Sequence, residues 1–254
     1  MDITVLNSPN HNRSFLELVS EELSPGFVSD YSIGYNSSVG TTLTDISELG
    51  VAWIPVLSTA ALLEVVSSST SDTTGGGGGI GARQVEVHGL DSNFNEIRET
   101  VSLNGTTPVA TTLQYIRIND FHVIAVGSNS VAVGNITIRG TGGGTAYSRI
   151  SAGGNRQLQA HYTVPNNKIG IVRSWSGYAS ANKDVKIFLR GTAHGSERML
   201  IPGVFHFVDS IINAGVIDCH IRFPAKADIK ISGQVIGAGT GEAIGRFAIY
   251  NKAI

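Results

Sequence analysis

The residues 68–81, SSTSDTTGGGGGIG, place Gly76, Gly78 and Gly81 at the spacing of a dinucleotide-binding loop. That loop works when a strand enters it and a helix leaves it, so that backbone N–H groups and the positive helix end meet a pyrophosphate. Here eight polar residues follow Val66 before the glycines begin, and Ala82-Arg83-Gln84-Val85-Glu86-Val87 reads as a strand. A P-loop also needs Lys followed by Ser or Thr after the last glycine, and none follows. A glycine-rich loop between two strands is the expectation.

Asp91, Asn93 and Asn95 occupy positions 1, 3 and 5 of a calcium-loop pattern. Glu96 then stands where glycine should turn the chain and Ser102 where a bidentate glutamate should close the shell, so an Asx-rich hairpin turn is expected. The seven histidines, at 11, 88, 122, 161, 194, 206 and 220, form no HxH or HxxxH pairing, and each reads as a strand-surface or core residue rather than a metal ligand. Glu86 and Glu99 read as neighbours across a hairpin, paired with Arg83 or Arg98 rather than with each other for glycoside cleavage. Ser176 and Ser196 lack the strand–turn–helix setting of a catalytic serine. No catalytic residue, cofactor or metal site is expected. Tyr31, Tyr35, Trp53, Tyr115, Trp175 and Tyr178 are the aromatic side chains to examine as interface anchors.

The elements around these residues are strands. Charged residues make up 15% of the 254-residue chain and aromatics 7%, while glycine reaches 31 residues, a profile of short strands joined by many turns. The net charge is −2, and no basic run exceeds two residues, which argues against nucleic acid as a partner. The N-terminus MDITVLNSPN has neither a basic nor an apolar leader pattern, and no stretch approaches the roughly 18 apolar residues that span a bilayer, so a chain made in the cytoplasm without a membrane anchor is expected. Cys219, the one cysteine, lies in a strand-like run that suits packing.

Ser14 and Glu17 form a capping box ahead of Phe15, Leu18, Val19 and Leu23, and Pro25-Gly26 closes a short helix. Residues 27–58 lack a sustained period and read as an extended arm carrying Trp53. From residue 59 the pattern has period two. Six strand candidates, at 62–66, 83–88, 97–103, 115–119, 122–126 and 136–139, give a first antiparallel domain over 59–150. Glycine runs at 142–144 and 153–154 mark its end. Seven further candidates, at 159–164, 169–175, 184–189, 205–208, 218–223, 228–232 and 246–250, give a second domain over 151–254. The expected fold is all-β: two antiparallel sandwich or jelly-roll-like domains preceded by residues 1–58 as helix and arm.

The run VEVHGLDSNFNEIRETVSLNGTTPVATTLQYIRINDFHV, residues 85–123, resembles a family of tailed-phage virion proteins. The resemblance rests on Gly89-Leu90-Asp91, Asn95, Ile97, Glu99-Thr100-Val101 and Leu103-Asn104-Gly105, with Asn135-Ile136-Thr137-Ile138-Arg139 and Tyr162-Thr163-Val164-Pro165 further on. It covers about residues 50–175 and implies a virion component, above all a capsid decoration (cement) protein on the head surface, assembled in the host cytoplasm. The partners it implies are the major capsid protein and copies of the chain itself, with a trimer favoured. The helix and arm are then the expected grip, through Phe15, Leu18, Tyr31, Tyr35 and Trp53. A neck, tail or fibre-base adaptor is the alternative within the virion, and a carbohydrate-binding sandwich using Trp175, Tyr178 or Glu99 is the alternative from another class.

Overall fold

The computed structural model describes residues 27–75, 79–180, 183–196, 198–208 and 213–254. Two strands come first, β1 (Phe27–Val39) and β2 (Thr44–Asp45). A first unit follows with β3 (Leu63–Ser67), β4 (Ala82–Leu90), β5 (Glu96–Ser102), β6 (Val109–Ala110), β7 (Arg117–Val126), β8 (Ile136–Gly140) and β9 (Ala146–Ile150). The rest of the chain gives β10 (His161–Thr163), β11 (Lys168–Ala179), β12 (Asp184–Thr192), β13 (Met199–Phe207), β14 (Asn213–Phe223), β15 (Asp228–Ile236) and β16 (Gly241–Ala253). Every ladder is antiparallel.

In the first unit a four-stranded sheet, β6-β3-β8-β9, lies against a three-stranded one, β5-β4-β7. Alternation decides what lies between them. Val85, Val87, Phe121, Ile136 and Ile138 turn inward and are fully buried, which leaves Glu86, His88 and His122 on the outer face. Tyr115 belongs to this core, fully buried, and is no surface anchor. The two strands expected at 115–119 and 122–126 are one, β7, because Asp120 is held by side-chain partners and does not break the ladder.

Asp72 fastens the glycine-rich loop to this unit. Its fully buried carboxylate accepts hydrogen bonds from Ala82 N (2.8 Å) and Val133 N (2.9 Å) on Oδ1, and from Gly134 N (2.8 Å) and Ser67 Oγ (2.6 Å) on Oδ2. A Cβ on Gly81 would stand 2.1 Å from Oδ1. The last glycine of the GxGxxG pattern is therefore kept bare by a carboxylate, and the chain runs from it directly into β4.

The second unit is a larger sandwich. A sheet of order β1-β16-β11-β14 faces one of order β10-β15-β12-β13, with β2 paired to β15. Val172, Trp175, Ile187, Leu189, Ile231 and Phe247 fill the space between. Trp175 is 2% exposed and packs against Phe205, so it too is core and offers no sugar platform.

Residues 27–39, expected as part of an irregular arm, are strand β1, paired with β16 from Phe27↔Lys252 onward. Its inward face is Ser32 and Gly34, small or polar, so hydrophobic alternation gives no sign of it. The segment after it is held by Asp45, fully buried, whose carboxylate accepts from Ile54 N, Lys230 Nζ and Ser232 Oγ. The expected helix, with Phe15 and Leu18, lies outside the described residues.

Candidate functional site

The two units meet through polar contacts. Arg117 pairs with Asp228 through Nε (2.9 Å) and Nη2 (3.1 Å), and the same guanidinium donates from Nη1 to the carbonyls of Leu57 and Ile116. Asn119 donates to Thr163 O and accepts from Thr163 N, both at 2.9 Å. That residue is available because the β4–β7 register slips by one after His88. The extra residue on β7 is turned toward the second unit, as bulges commonly re-aim a side chain. Gly89 sits at the slip, where a Cβ would meet Arg117 O at 2.2 Å.

Between the units lies a cleft of about 790 Å³, walled by Val28, Asp30 and Tyr250 on one side and by His88, Arg98 and Asp120 on the other. Along its rim runs a continuous chain of charged groups. Glu86 Oε1 is 2.5 Å from His88 Nε2 and 3.8 Å from His122 Nε2. His122 Nδ1 is 2.7 Å from Asp120 Oδ2, Arg156 Nε is 2.8 Å from Asp120 Oδ1, and Arg156 Nη1 is 2.5 Å from the Tyr31 hydroxyl. The register explains the grouping: Glu86 faces His122 across the ladder and His88 faces Asp120, all on the outer face.

These contacts set the charge states. The hydrogen bond to Asp120 raises the His122 imidazole above its ordinary value. The bond from His88 holds the Glu86 carboxyl below the usual carboxylate range. Burial alone would raise Asp120, but the bond from His122 and the charge of Arg156 bring it below. Burial pushes Asp30 the other way, up to about 6. The cleft thus sets Asp120, held below the usual carboxylate range, near Asp30, raised to about 6, a separation that environment alone can impose.

Of the residues singled out in the sequence, Tyr31 lies at the cleft, under the Arg156 guanidinium at 4.3 Å. Tyr35 is half-buried with its hydroxyl 3.3 Å from Glu242, and Trp53 is exposed with Arg190 stacked 4.8 Å above it. The structure does not bring these three aromatics together with one another. Glu99 is occupied by Thr112 N, Thr112 Oγ1 and Leu113 N, and Asp91 caps its own hairpin turn by accepting from Asn93 N and Asn95 N. The grouping of Glu86, His88, Asp120 and His122 escaped the sequence reading, which sought histidines near one another along the chain. The signal that could have found it is Glu-x-His on one strand facing Asp-x-His on the next.

His161, on β10, is a different kind of histidine: buried, with Nδ1 unpartnered and Nε2 3.3 Å from Thr163 Oγ1. Burial, reinforced by the Lys230 charge and opposed by Asp228 and Asp45, lowers it to about 4. The unfolded chain therefore takes up this proton first, and stability falls as pH drops from about 6.5 to about 4, by about 3 kcal/mol in all. Asp30 acts with the opposite sign over part of that range, since its raised value favours the fold as pH falls through about 6. Urea midpoints for His161→Gln should fall less steeply with acid than those of the parent protein. Equal slopes would show that His161 is not buried neutral.

No protein-family model matches the chain. No curated protein matches it either. Among solved structures it is similar to the "Structure of infectious bursal disease virus Gx strain", at 10% identity over 88% of this chain and 72% of that one, with a TM-score of 0.21. It is also similar to the "Crystal structure of infectious bursal disease virus VP2 subviral particle", at 9% identity over 93% and 80%, with a TM-score of 0.20.

Proposed function

We propose that the chain is a structural protein of a virus particle, a capsid decoration protein of the tailed-phage kind that binds the outside of the shell lattice and copies of itself. The observation that supports this reading is the open end of the second unit. There β13 and β14 are the outer strands of the two facing sheets, each paired on one side only among the described residues. Both carry apolar side chains into solvent: Leu200 and Ile201 in succession on β13, with Ile201 52% exposed, and Val216 and Ile217 on β14, with Val216 73% exposed. Successive residues of a strand point to opposite faces, so these stretches are bare on both sides.

A long apolar edge left open is a template for pairing with another chain, and monomeric proteins guard such edges with charge, proline or a covering element. Pro202 lies within β13, and Asp218 and Arg222 lie along β14, yet the apolar stretches themselves carry no charge. A second subunit that buries them supplies the missing cover. Repetition of that contact over a lattice turns a modest pairwise affinity into a firm restraint on the shell. The grip is accordingly assigned to this edge, with Tyr31 and Trp53 as further exposed anchors.

Sedimentation of the purified protein tests the contact. The parent chain should associate in a concentration-dependent way, and Ile201→Lys with Val216→Lys should shift it to the monomer with an unchanged circular dichroism spectrum. A parent chain that stays monomeric and binds no shell would overturn the reading.

A further inference from the structure

The outer face of the β4–β7 pair carries a second possibility, independent of the assembly reading. His122 Nδ1 is committed to Asp120 Oδ2 at 2.7 Å, and the other oxygen of Asp120 is held by Arg156 Nε at 2.8 Å. With its Nδ1 proton given to a carboxylate, the neutral imidazole has its lone pair on Nε2. What that lone pair faces, at 3.8 Å, is Glu86 Oε1, which is also an acceptor. Two lone pairs facing one another across that gap are satisfied either by a proton on Nε2 or by a metal ion that replaces it. His88 Nε2 reaches the same oxygen, and the three donor atoms lie within 4.8 Å of one another.

We propose that Glu86, His88 and His122 bind a divalent transition-metal ion of the zinc class. Two imidazoles and one carboxylate suit zinc, nickel, copper or iron, and not the all-oxygen shells of calcium or magnesium. Ligands about 2.0–2.2 Å from a tetrahedral ion stand roughly 3.3–3.5 Å apart. Small side-chain rotations reach that spacing: the Glu86–His88 contact opens and the Glu86–His122 gap closes. Asp120 supplies the outer partner that fixes the tautomer and orientation of a metal-bound histidine. The side chains of Glu86, His88 and His122 are 24%, 36% and 28% exposed, so an ion enters from solvent and keeps a water at its fourth position. Arg98, opposite His88 on β5, and Arg156 oppose a dication; Asp120 offsets the second by pairing with it. The ion would tie β4 to β7 beside the cleft.

The test uses the full chain stripped by a chelator and titrated with Zn²⁺ alone, followed by calorimetry and by competition with a chromogenic chelator. One ion per chain is expected. Glu86→Gln, His88→Ala and His122→Ala should each abolish uptake, Asp120→Asn should weaken it about 10- to 100-fold, and His220→Ala, on β14, should leave it intact. Co²⁺ bound to the parent protein should give the visible absorption of a tetrahedral centre, a readout that needs no variant. The proposal is overturned if the parent chain takes up no Zn²⁺, so that only a proton occupies the gap, or if uptake survives both histidine variants while their folds are intact.

Discussion

Asp72→Ala is expected to unfold the first β unit at temperatures where the parent chain is fully native. Among the described residues the buried carboxylate has no cationic partner and is balanced by four donors, three of them backbone N–H groups, one from the start of β4 and two from the loop before β8. Removing it leaves those donors dry, and each stranded buried donor costs about 1–3 kcal/mol. Even at the lower figure the loss is about 4 kcal/mol, most of the stability of a marginal domain. Asp72→Asn keeps the shape but turns one acceptor into a donor facing donors, so its loss should be intermediate. Chemical denaturation followed by circular dichroism measures both, and a loss under about 1 kcal/mol for the alanine variant would show that water replaces the carboxylate freely.

Arg117→Met should have the next largest effect, and of a different kind. Arg117 belongs to β7 of the first unit, and its partner Asp228 opens β15 of the second, with the Arg117 side chain 8% exposed. Burial alone would raise the Asp228 carboxyl, but the hydrogen bonds and charge of Arg117 hold it below the usual range. Truncating the arginine strands that carboxylate and frees the carbonyls of Leu57 and Ile116, a change worth about 3–5 kcal/mol for a buried pair broken on one side. Because the lost contacts lie between the units, one cooperative unfolding transition should separate into two. Adding Asp228→Asn should recover part of the loss by removing the uncompensated charge. A single transition with an unshifted midpoint would mean that Phe94, with Lys226 5.3 Å and the His194 ring 4.8 Å from its ring, couples the units without Arg117.

The all-β class could be read from period two because inward positions such as Val85, Val87, Ile229 and Ile231 alternate with polar ones. The antiparallel hairpin of β4 and β5 was legible for the same reason, helped by Asp91 at its turn. Strand β1 was not, since Ser32 and Gly34 face inward and the strand is specified by its pairing with β16 and by Ser32 Oγ bonding the carbonyls of Gln159 and His161. The division of the chain was misread there for the same cause: residues 27–54 complete a sheet and a core whose other strands begin more than a hundred residues later. The acidic and imidazole cluster was invisible because its members meet across a ladder, and cross-strand register depends on a bulge that no local pattern announces. The open β13–β14 end was half visible, as apolar runs, but exposure is a property of what fails to cover them.

A reconstruction of the assembled particle tests the central claim most directly. The account predicts this chain on the outer shell surface in hundreds of copies, as lattice symmetry requires of a decoration protein, with Leu200, Ile201 and Val216 buried against a neighbouring subunit. Density confined to a dozen or fewer copies at the tail end, or a β13–β14 edge open to solvent in every copy, would contradict it.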